Sequence, residues 1–287
     1  MAHAALRRNP VLVFAHRGGA ALRPENTLAA FDHGLSVGAD GLELDVRLSR
    51  DGEVVVIHDA TLDRTTDATG PVSARTADEL ARVDAGCRFG EADGFPWRGC
   101  GLGVPRLREV LARMPPVPLI VEMKEDSAGL AARIVEAVRV AGATDRVVLG
   151  SFLRMPMRTA RALAPDLPTG ATREEVRWAL HRSRIGWNAR RRPYRALQVP
   201  QARGWTQVLS PRFIRAAHAS GVVVQVWTVD DERDMRRLLS WGVDGLITDR
   251  PDVAVRVVHG NARGMPAECP RNEPHARVPS TEYRASS

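Results

Sequence analysis

Short apolar runs alternate with longer amphipathic segments along most of the chain. The runs favour strands, and the segments between them repeat apolar residues at helical spacing. Such alternation is typical of βα units arranged around a parallel sheet. The predicted strands are Val11–Ala15, Gly41–Val46, Val54–His58, Pro118–Met123, Arg146–Gly150, Leu167–Gly170, Ala196–Val199, Val222–Trp227 and Gly245–Ile247.

One of these strands is predicted to be a hairpin partner. Asp51-Gly52 is a strong turn signal, so Val54–His58 should fold back onto the preceding strand. The remaining strands then fit a (βα)8 TIM barrel. Helices are predicted near Thr27–Val37, Leu107–Arg113, Gly129–Ala141, Met155–Ala164, Arg173–Arg182, Pro211–Ser220, Glu232–Trp241 and Pro251–Val258.

Three segments fall outside the alternation. Residues 1–10 form an N-terminal extension to a barrel predicted over residues 11–258. Residues 59–104 are too many for a βα loop, and we expect them to form a small packed insertion after the second strand, beside the active-site mouth. Residues 259–287 are polar and rich in Pro, Arg and Ser, which predicts a disordered tail.

The composition narrows the cellular setting. The three cysteines include no CxxC pair, which argues against a disulfide scaffold and a zinc site and fits a reducing compartment. The apolar run Val11–Ala15 is too short for the core of a signal peptide. No run approaches the ~18 apolar residues of a membrane span. The expected location is the cytoplasm.

The charge comes almost entirely from arginine. The net charge is +7, with 40 arginines and one lysine. This excess fits either a genome-wide codon bias or attraction to anionic partners. The densest stretch, residues 181–195, is interpreted as a solvated loop or as a surface with weak membrane contact. No zinc knuckle, RNA-recognition motif or helix-turn-helix is found, so no nucleic-acid partner is expected. The oligomeric state is left open.

Two predicted strands carry acids on one face. Side chains two apart on a strand point the same way, so Glu43 and Asp45 share a face, as do Glu122 and Lys124. Inward-facing charges need partners or a metal ion, and barrel enzymes keep their active sites at the carboxyl ends of the strands. Three carboxylates suit Mg²⁺ or Ca²⁺. The alternative is a structural network in which Arg17 or Lys124 neutralises the acids.

Two histidines complete the candidate chemistry. His16 follows the first strand and His58 ends the hairpin strand, so both should lie at the barrel mouth. Imidazoles that flank a phosphate could act as general base and general acid. Arg17 is a candidate phosphate clamp. Lys124 is the chain's only lysine, which suggests a compact charge on a phosphoryl oxygen.

These motifs together resemble the glycerophosphodiester phosphodiesterase family. The resemblance spans about Val11 to Val258 and is specific through the order and spacing of its pieces. The matching pieces are His16–Gly19, Pro24–Thr27, Glu43–Val46, His58-Asp59, Leu62–Thr66, Glu122–Lys124, Val226–Val229 and Gly242–Pro251.

The resemblance implies a (βα)8 barrel with one divalent cation on Glu43, Asp45 and Glu122. It also implies acid/base roles for His16 and His58, with Arg17 and Lys124 on the phosphate of a small glycerophosphodiester. Trp227 would line the pocket near the glycerol. Glu25 would contact the surroundings of the cation or favour the first turn of the next helix.

The sequence therefore predicts metal-dependent hydrolysis of glycerophosphodiesters to glycerol 3-phosphate and an alcohol. Two alternatives stay open. One is a lysophospholipase D, which needs a wide apolar mouth built from residues 59–104 and the Arg182–Tyr194 region. The other is a non-catalytic phosphodiester-binding barrel, which would have no need of two proton-transfer groups.

Overall fold

The computed structural model describes residues 3–185, 192–203 and 206–260. Strands and helices alternate along these ranges. The strands are β1 (Leu12–His16), β2 (Gly41–Leu48), β3 (Val54–Val56), β4 (Leu119–Met123), β5 (Val147–Gly150), β6 (Ala196–Val199), β7 (Ala202–Arg203), β8 (Thr206–Gln207), β9 (Val223–Val226) and β10 (Gly245–Thr248). The α-helices are α1 (Leu28–Ser36), α2 (Ala77–Leu80), α3 (Leu107–Arg113), α4 (Ala128–Val140), α5 (Arg154–Leu163), α6 (Arg173–Ile185), α7 (Pro211–Ala219), α8 (Glu232–Trp241) and α9 (Pro251–His259).

The main sheet is a nearly closed parallel barrel. Its strands follow the order β5-β4-β2-β1-β10-β9-β6. Parallel bridges from Leu149 to Thr169 and from Gly170 to Ala196 join the two ends of this sheet. The predicted (βα)8 barrel is confirmed.

The predicted strand Leu167–Gly170 is wrong in extent, because only isolated bridges form there. Pro168 has no N–H to donate to a ladder. A Cβ on Gly170 would lie 2.5 Å from Oε1 of Gln198, so the barrel interior at this point is filled by a neighbouring side chain. The short β7–β8 ladder was not predicted, since two-residue strands leave no periodic signal.

The predicted hairpin is present. β3 pairs antiparallel with β2, with Val56 opposite Val46. β3 ends two residues earlier than predicted, and the Ile57 N–H still donates to the Asp45 carbonyl at 2.9 Å. His58 is thereby held close to the end of β2.

Residues 59–104 have a small apolar core of their own. Leu62, Val72, Leu80 and Val104 pack there against Val55 of β3 and its neighbours. The segment contains α2 and 3-10 turns at Val72–Ala74 and Glu91–Asp93, elements too short for the sequence pattern to reveal. It is packed onto the hairpin strand that leads to His58.

The alternation along β2 decides which side chains face the barrel mouth. Leu42, Leu44 and Val46 belong to the main apolar core that packs beneath the helices. Glu43 and Asp45 therefore point the other way, into the barrel.

Two sequence predictions remain partly outside the described residues. These are the tail, whose residues 261–287 are not described, and the Arg-rich segment, of which residues 186–191 are not described. Residues 181–185 of that segment belong to α6, so the loop interpretation is wrong there. No described helix combines the length and apolar character needed to cross a membrane. Cys87 is a buried free thiol, whereas Cys100 is disulfide-bonded, which the odd cysteine count did not predict. The cytoplasmic location stays a prediction.

Candidate active site

The carboxyl ends of the barrel strands open into a cavity of about 290 Å³. Asp45 is fully buried and contacts the cavity through Arg17 and Lys124, which line it. Glu25 lies behind Arg17, to which it is ion-paired. The other predicted site residues all line the cavity, namely His16, Arg17, Glu43, His58, Glu122, Lys124 and Trp227.

Three carboxylates converge at one point of this cavity. Glu43, Asp45 and Glu122 each offer an oxygen, and these oxygens lie within 4.8 Å of one another. The sheet register explains the cluster, because Asp45 of β2 lies directly beside Glu122 of β4. Glu43 is 4% exposed, so the acids meet where water can screen them little.

Two cations from the chain balance part of this charge. Lys124 Nζ lies 2.9 Å from Asp45 Oδ1 and 2.9 Å from Glu122 Oε1. Arg17 Nε lies 3.1 Å from Asp45 Oδ2. Asp45 Oδ1 and Arg17 Nε nevertheless have no well-aligned hydrogen bond, so these contacts are mainly Coulombic. Burial alone would lower the pKa of Lys124, but Asp45 and Glu122 raise it above its ordinary value.

The cluster remains short of positive charge. Burial and the neighbouring Asp45 raise the pKa of Glu43 to about 8. Burial also raises the pKa of Glu122, against the effect of Lys124. At Asp45, Lys124 and Arg17 outweigh burial and lower the pKa. Like charges this close cannot all stay ionised without a further cation.

The donor set fits a hard divalent cation. All three side chains offer carboxylate oxygen, which Mg²⁺ and Ca²⁺ prefer, and no described sulfur or imidazole joins the cluster. Asp45 Oδ1 is a buried oxygen whose near contact is the Lys124 ammonium, and it has no well-aligned hydrogen bond, so it can also ligate a metal ion.

Both histidines are held through one ring nitrogen by a carboxylate. His16 Nδ1 lies 2.6 Å from Asp249 Oδ1, and His58 Nδ1 lies 2.6 Å from Asp59 Oδ1. The Nε2 atom of each ring is left for other partners, and in His16 it lies 3.8 Å from Glu43 Oε2. Burial would lower the pKa of His16, but Glu43 and Asp249 raise it to about 9.

Sequence reasoning gave no role to Asp249, Asp59 or Asn26. The amide of Asn26 brackets Asp45: its Nδ2 donates to Asp45 Oδ2 at 2.9 Å, and its Oδ1 accepts from the Asp45 N–H at 3.2 Å. Asp249 directly follows β10, and Asp59 directly follows His58. The strand-end rule that selected His16 could therefore have identified both aspartates.

The loop after β1 has an unusual backbone. Arg17 has a φ of +51° and Asn26 a φ of +58°, left-handed values that cost about 1–3 kcal/mol for a residue other than glycine. In this conformation the Arg17 N–H donates to Glu43 Oε2 at 3.1 Å. Gly18 comes so close to α1 that a Cβ there would lie 2.7 Å from the Ala30 backbone.

A second, larger cavity of about 980 Å³ adjoins the first. The two share Phe152, Gln198 and Trp227, and the rings of Phe152 and Trp227 pack at a centroid distance of 5.5 Å. We call the second cavity the lateral groove. No carboxylate appears among its described lining residues, which also include Val176, Leu180, Val199, Pro200 and Val208 with Arg173, Arg177, His181 and Arg184.

Comparison with known proteins agrees with this geometry. Residues 16–253 match the glycerophosphoryl diester phosphodiesterase family. A glycerophosphodiester phosphodiesterase from Caldanaerobacter subterraneus is 33% identical over 86% of this chain and 97% of its own.

Solved structures give the same result. A putative glycerophosphoryl diester phosphodiesterase from Silicibacter pomeroyi has a TM-score of 0.73 at 28% identity, over 88% of this chain and 95% of its own. A phosphodiesterase from Oleispira antarctica, in complex with the product sn-glycerol-3-phosphate, has a TM-score of 0.72 at 26% identity, over 86% of this chain and 96% of its own. The chain is therefore an enzyme that belongs to the glycerophosphoryl diester phosphodiesterase family.

Proposed function

We propose that this enzyme uses one divalent cation, Mg²⁺ or Ca²⁺, to hydrolyse glycerophosphodiesters to glycerol 3-phosphate and an alcohol. One observation supports the proposal above all. Three carboxylates have oxygens within 4.8 Å of one another, and two of them line a cavity together with two carboxylate-held imidazoles and two cationic side chains. The product bound to the Oleispira antarctica phosphodiesterase is the glycerol phosphate expected here.

The three carboxylates would bind the metal ion, and the cationic side chains bind the phosphate. Glu43, Asp45 and Glu122 would hold the metal ion, which when bound polarises the phosphoryl oxygens and offsets their charge. Arg17 and Lys124 bind phosphoryl oxygens and stabilise the negative charge that grows in the transition state. Trp227 lines the part of the cavity that receives the glycerol.

The histidines transfer protons. One imidazole accepts the proton of the attacking group, either water or the glycerol hydroxyl, and the other donates a proton to the departing alcohol; attack by the glycerol hydroxyl gives a cyclic phosphodiester that water then opens to glycerol 3-phosphate. The bond from Nδ1 of each ring to its aspartate fixes the tautomer, so that Nε2 is the exchanging atom. Two rings held in this way argue against a non-catalytic phosphodiester-binding barrel, since binding alone requires no proton transfer.

The metal requirement is tested by product analysis. With glycerophosphocholine as substrate, excess EDTA should abolish release of glycerol 3-phosphate, and Mg²⁺ or Ca²⁺ should restore it. Glu43→Gln keeps the shape of the side chain but removes a charged ligand, so it should be nearly inactive while its melting temperature shows a folded protein. Full activity in excess chelator would refute the metal site.

The histidine roles predict large losses of turnover. His16→Ala and His58→Ala should each lower kcat by about 10²–10⁴-fold, the usual contribution of general acid–base catalysis. His218→Ala is a matched control, because that imidazole also contacts an aspartate, Asp244, but does not line the cavity. A near-normal kcat in either His16→Ala or His58→Ala would show that the substituted histidine has only a structural role.

Lys124 distinguishes phosphate binding from simple neutralisation of the acids. A guanidinium is longer and forked, so Lys124→Arg should crowd the metal site and lower kcat by about 10²-fold, as a misplacement of about 1 Å can. If Lys124 only balances Asp45 and Glu122, arginine should serve nearly as well, and Lys124→Met should mainly lower the melting temperature. Turnover and melting temperature of both variants decide between the two roles.

The lateral groove favours one further candidate activity, that of a lysophospholipase D. It begins at the Phe152–Trp227 pair, where we place the glycerol, so an acyl chain esterified to that glycerol would continue into it. Val176 and Leu180 offer apolar surface, while Arg173 and Arg177 are exposed and suit anionic headgroups. These exposed arginines of the lateral groove would also fit weak contact with a membrane surface.

A substrate panel tests the groove. Leu180→Glu places a charge in it and should lower kcat/KM for lysophosphatidylcholine by about 10-fold or more, since burial of a leucine is worth about 1.5–3 kcal/mol. Activity on glycerophosphocholine should stay within about two-fold. Leu163→Glu is the matched control, because Leu163 is 47% exposed on α5 and outside the groove. Equal losses on both substrates, or no lysophospholipid turnover by the wild type, would rule out this activity.

A further inference from the structure

We infer that Arg64 is a positioning residue that orients His58 and Arg17 together, through Asp59 and Glu25. This inference rests on the roles proposed above for His58 and Arg17. It gives residues 59–104 a direct influence on the chemistry, although none of their described side chains lines the catalytic cavity.

The Arg64 guanidinium forms hydrogen-bonded ion pairs with two carboxylates at once. Its Nε and Nη2 atoms lie 2.6 Å and 3.2 Å from the two oxygens of Asp59. Its Nη1 and Nη2 atoms lie 2.7 Å and 2.8 Å from the two oxygens of Glu25. Both contacts are bidentate, the geometry that fixes the plane of a carboxylate as well as its position.

Two of the carboxylate oxygens that Arg64 binds also contact the cavity-lining residues His58 and Arg17. Asp59 Oδ1 lies in hydrogen-bond contact with His58 Nδ1 at 2.6 Å, and Glu25 Oε1 accepts a hydrogen bond from Arg17 Nη1 at 2.9 Å. Nη2 of Arg64 contacts both of these oxygens. The five side chains therefore form a continuous series from His58 through Asp59, Arg64 and Glu25 to Arg17.

Removal of the guanidinium would disturb both ends of this series. Asp59 would be free to rotate about its terminal bond, so the His58 ring would lose the partner that sets its angle. Glu25 and Asp59 would face each other without the cation between them, and Glu25 would turn away from its neighbour. Arg17 would then be drawn towards Asp45, from which its Nε is already only 3.1 Å away.

The charge distribution agrees with this role. Hydrogen bonds from Arg64 hold the pKa of the Asp59 carboxyl well below its ordinary value. At Glu25, Arg64 and Arg17 together outweigh burial and lower the pKa as well. Both supporting carboxylates are thus kept ionised, the form in which they accept hydrogen bonds from His58 and Arg17.

The first test compares single variants on glycerophosphocholine. Arg64→Ala should lower kcat by about 10²-fold, the scale of a roughly 1 Å misplacement, and should raise KM because the phosphate clamp shifts. Arg64→Lys keeps the charge but cannot fork, so it should recover little of the loss. Millimolar guanidinium chloride should restore part of the kcat of Arg64→Ala, since the partly exposed Arg64 side chain leaves an opening of that shape.

Arg50→Ala is the matched control. Arg50 also pairs with an acid of residues 59–104, Glu79, at 3.3 Å, but it lies outside the cavity and the series. Its kcat should stay within about two-fold of the wild type, with no response to guanidinium. Arg64 would lose its positioning role if Arg64→Ala behaved like Arg50→Ala.

A mutant cycle then shows whether Arg64 acts through the two acids. Arg64→Ala should cost far less kcat in a Glu25→Gln/Asp59→Asn background than in the wild type, because the residues through which it acts are already disabled. Equal costs in both backgrounds would overturn the inference, even if all variants fold.

The same measurements separate this inference from the proposed function. Wild-type protein that releases no glycerol 3-phosphate with either metal ion would overturn both. Wild-type turnover combined with additive effects in the cycle would overturn the positioning role alone.

Discussion

Mutual repulsion among three closely spaced carboxylates is the constraint around which this barrel mouth is built. Glu43 and Asp45 are buried, Glu122 is partly buried, and their oxygens lie too close together for all three to be ionised without compensation. The chain supplies some positive charge through Lys124 and Arg17, yet burial still raises the pKa values of Glu43 and Glu122. The folded protein therefore needs a further cation to neutralise these carboxylates. The apolar core holds Glu43 and Asp45 in place, because the residues that alternate with them, Leu42, Leu44 and Val46, anchor β2 beneath the helices.

A second ring of polar groups surrounds the cluster and orients its members. Asp249 and Asp59 hold the imidazoles, Asn26 brackets Asp45, and Glu25 holds Arg17. These partners come from widely separated parts of the chain, so the precision of the site depends on the whole barrel. Left-handed backbone at Arg17 and Asn26 lies within the same ring, where strain is tolerated because several hydrogen bonds and packing contacts define each residue's position.

Much of the fold and the inner site could be predicted from the sequence, because both follow from local periodicity. Alternation along β2 placed Glu43 and Asp45 on one face, and the strand-end rule brought His16 to the mouth. The second ring was not predictable in this way: the contact between Arg64 and Glu25 joins residues 39 apart through irregular backbone. The eighth strand was predicted as a regular strand but forms only isolated bridges, since Pro168 and Gly170 act through hydrogen bonding and packing that an apolar run does not reveal.

The bond between His16 and Asp249 also affects the order in which the enzyme matures. β1 pairs with β10, and the two side chains are separated by 233 positions in the chain. During synthesis at about 5–20 residues per second, His16 therefore waits on the order of ten seconds or more for its partner to be made. A growing chain on the ribosome has the three clustered acids, and His58 beside Asp59, long before His16 has its aspartate. The orientation of the His16 ring therefore depends on the last barrel strand, β10, which pairs with β1.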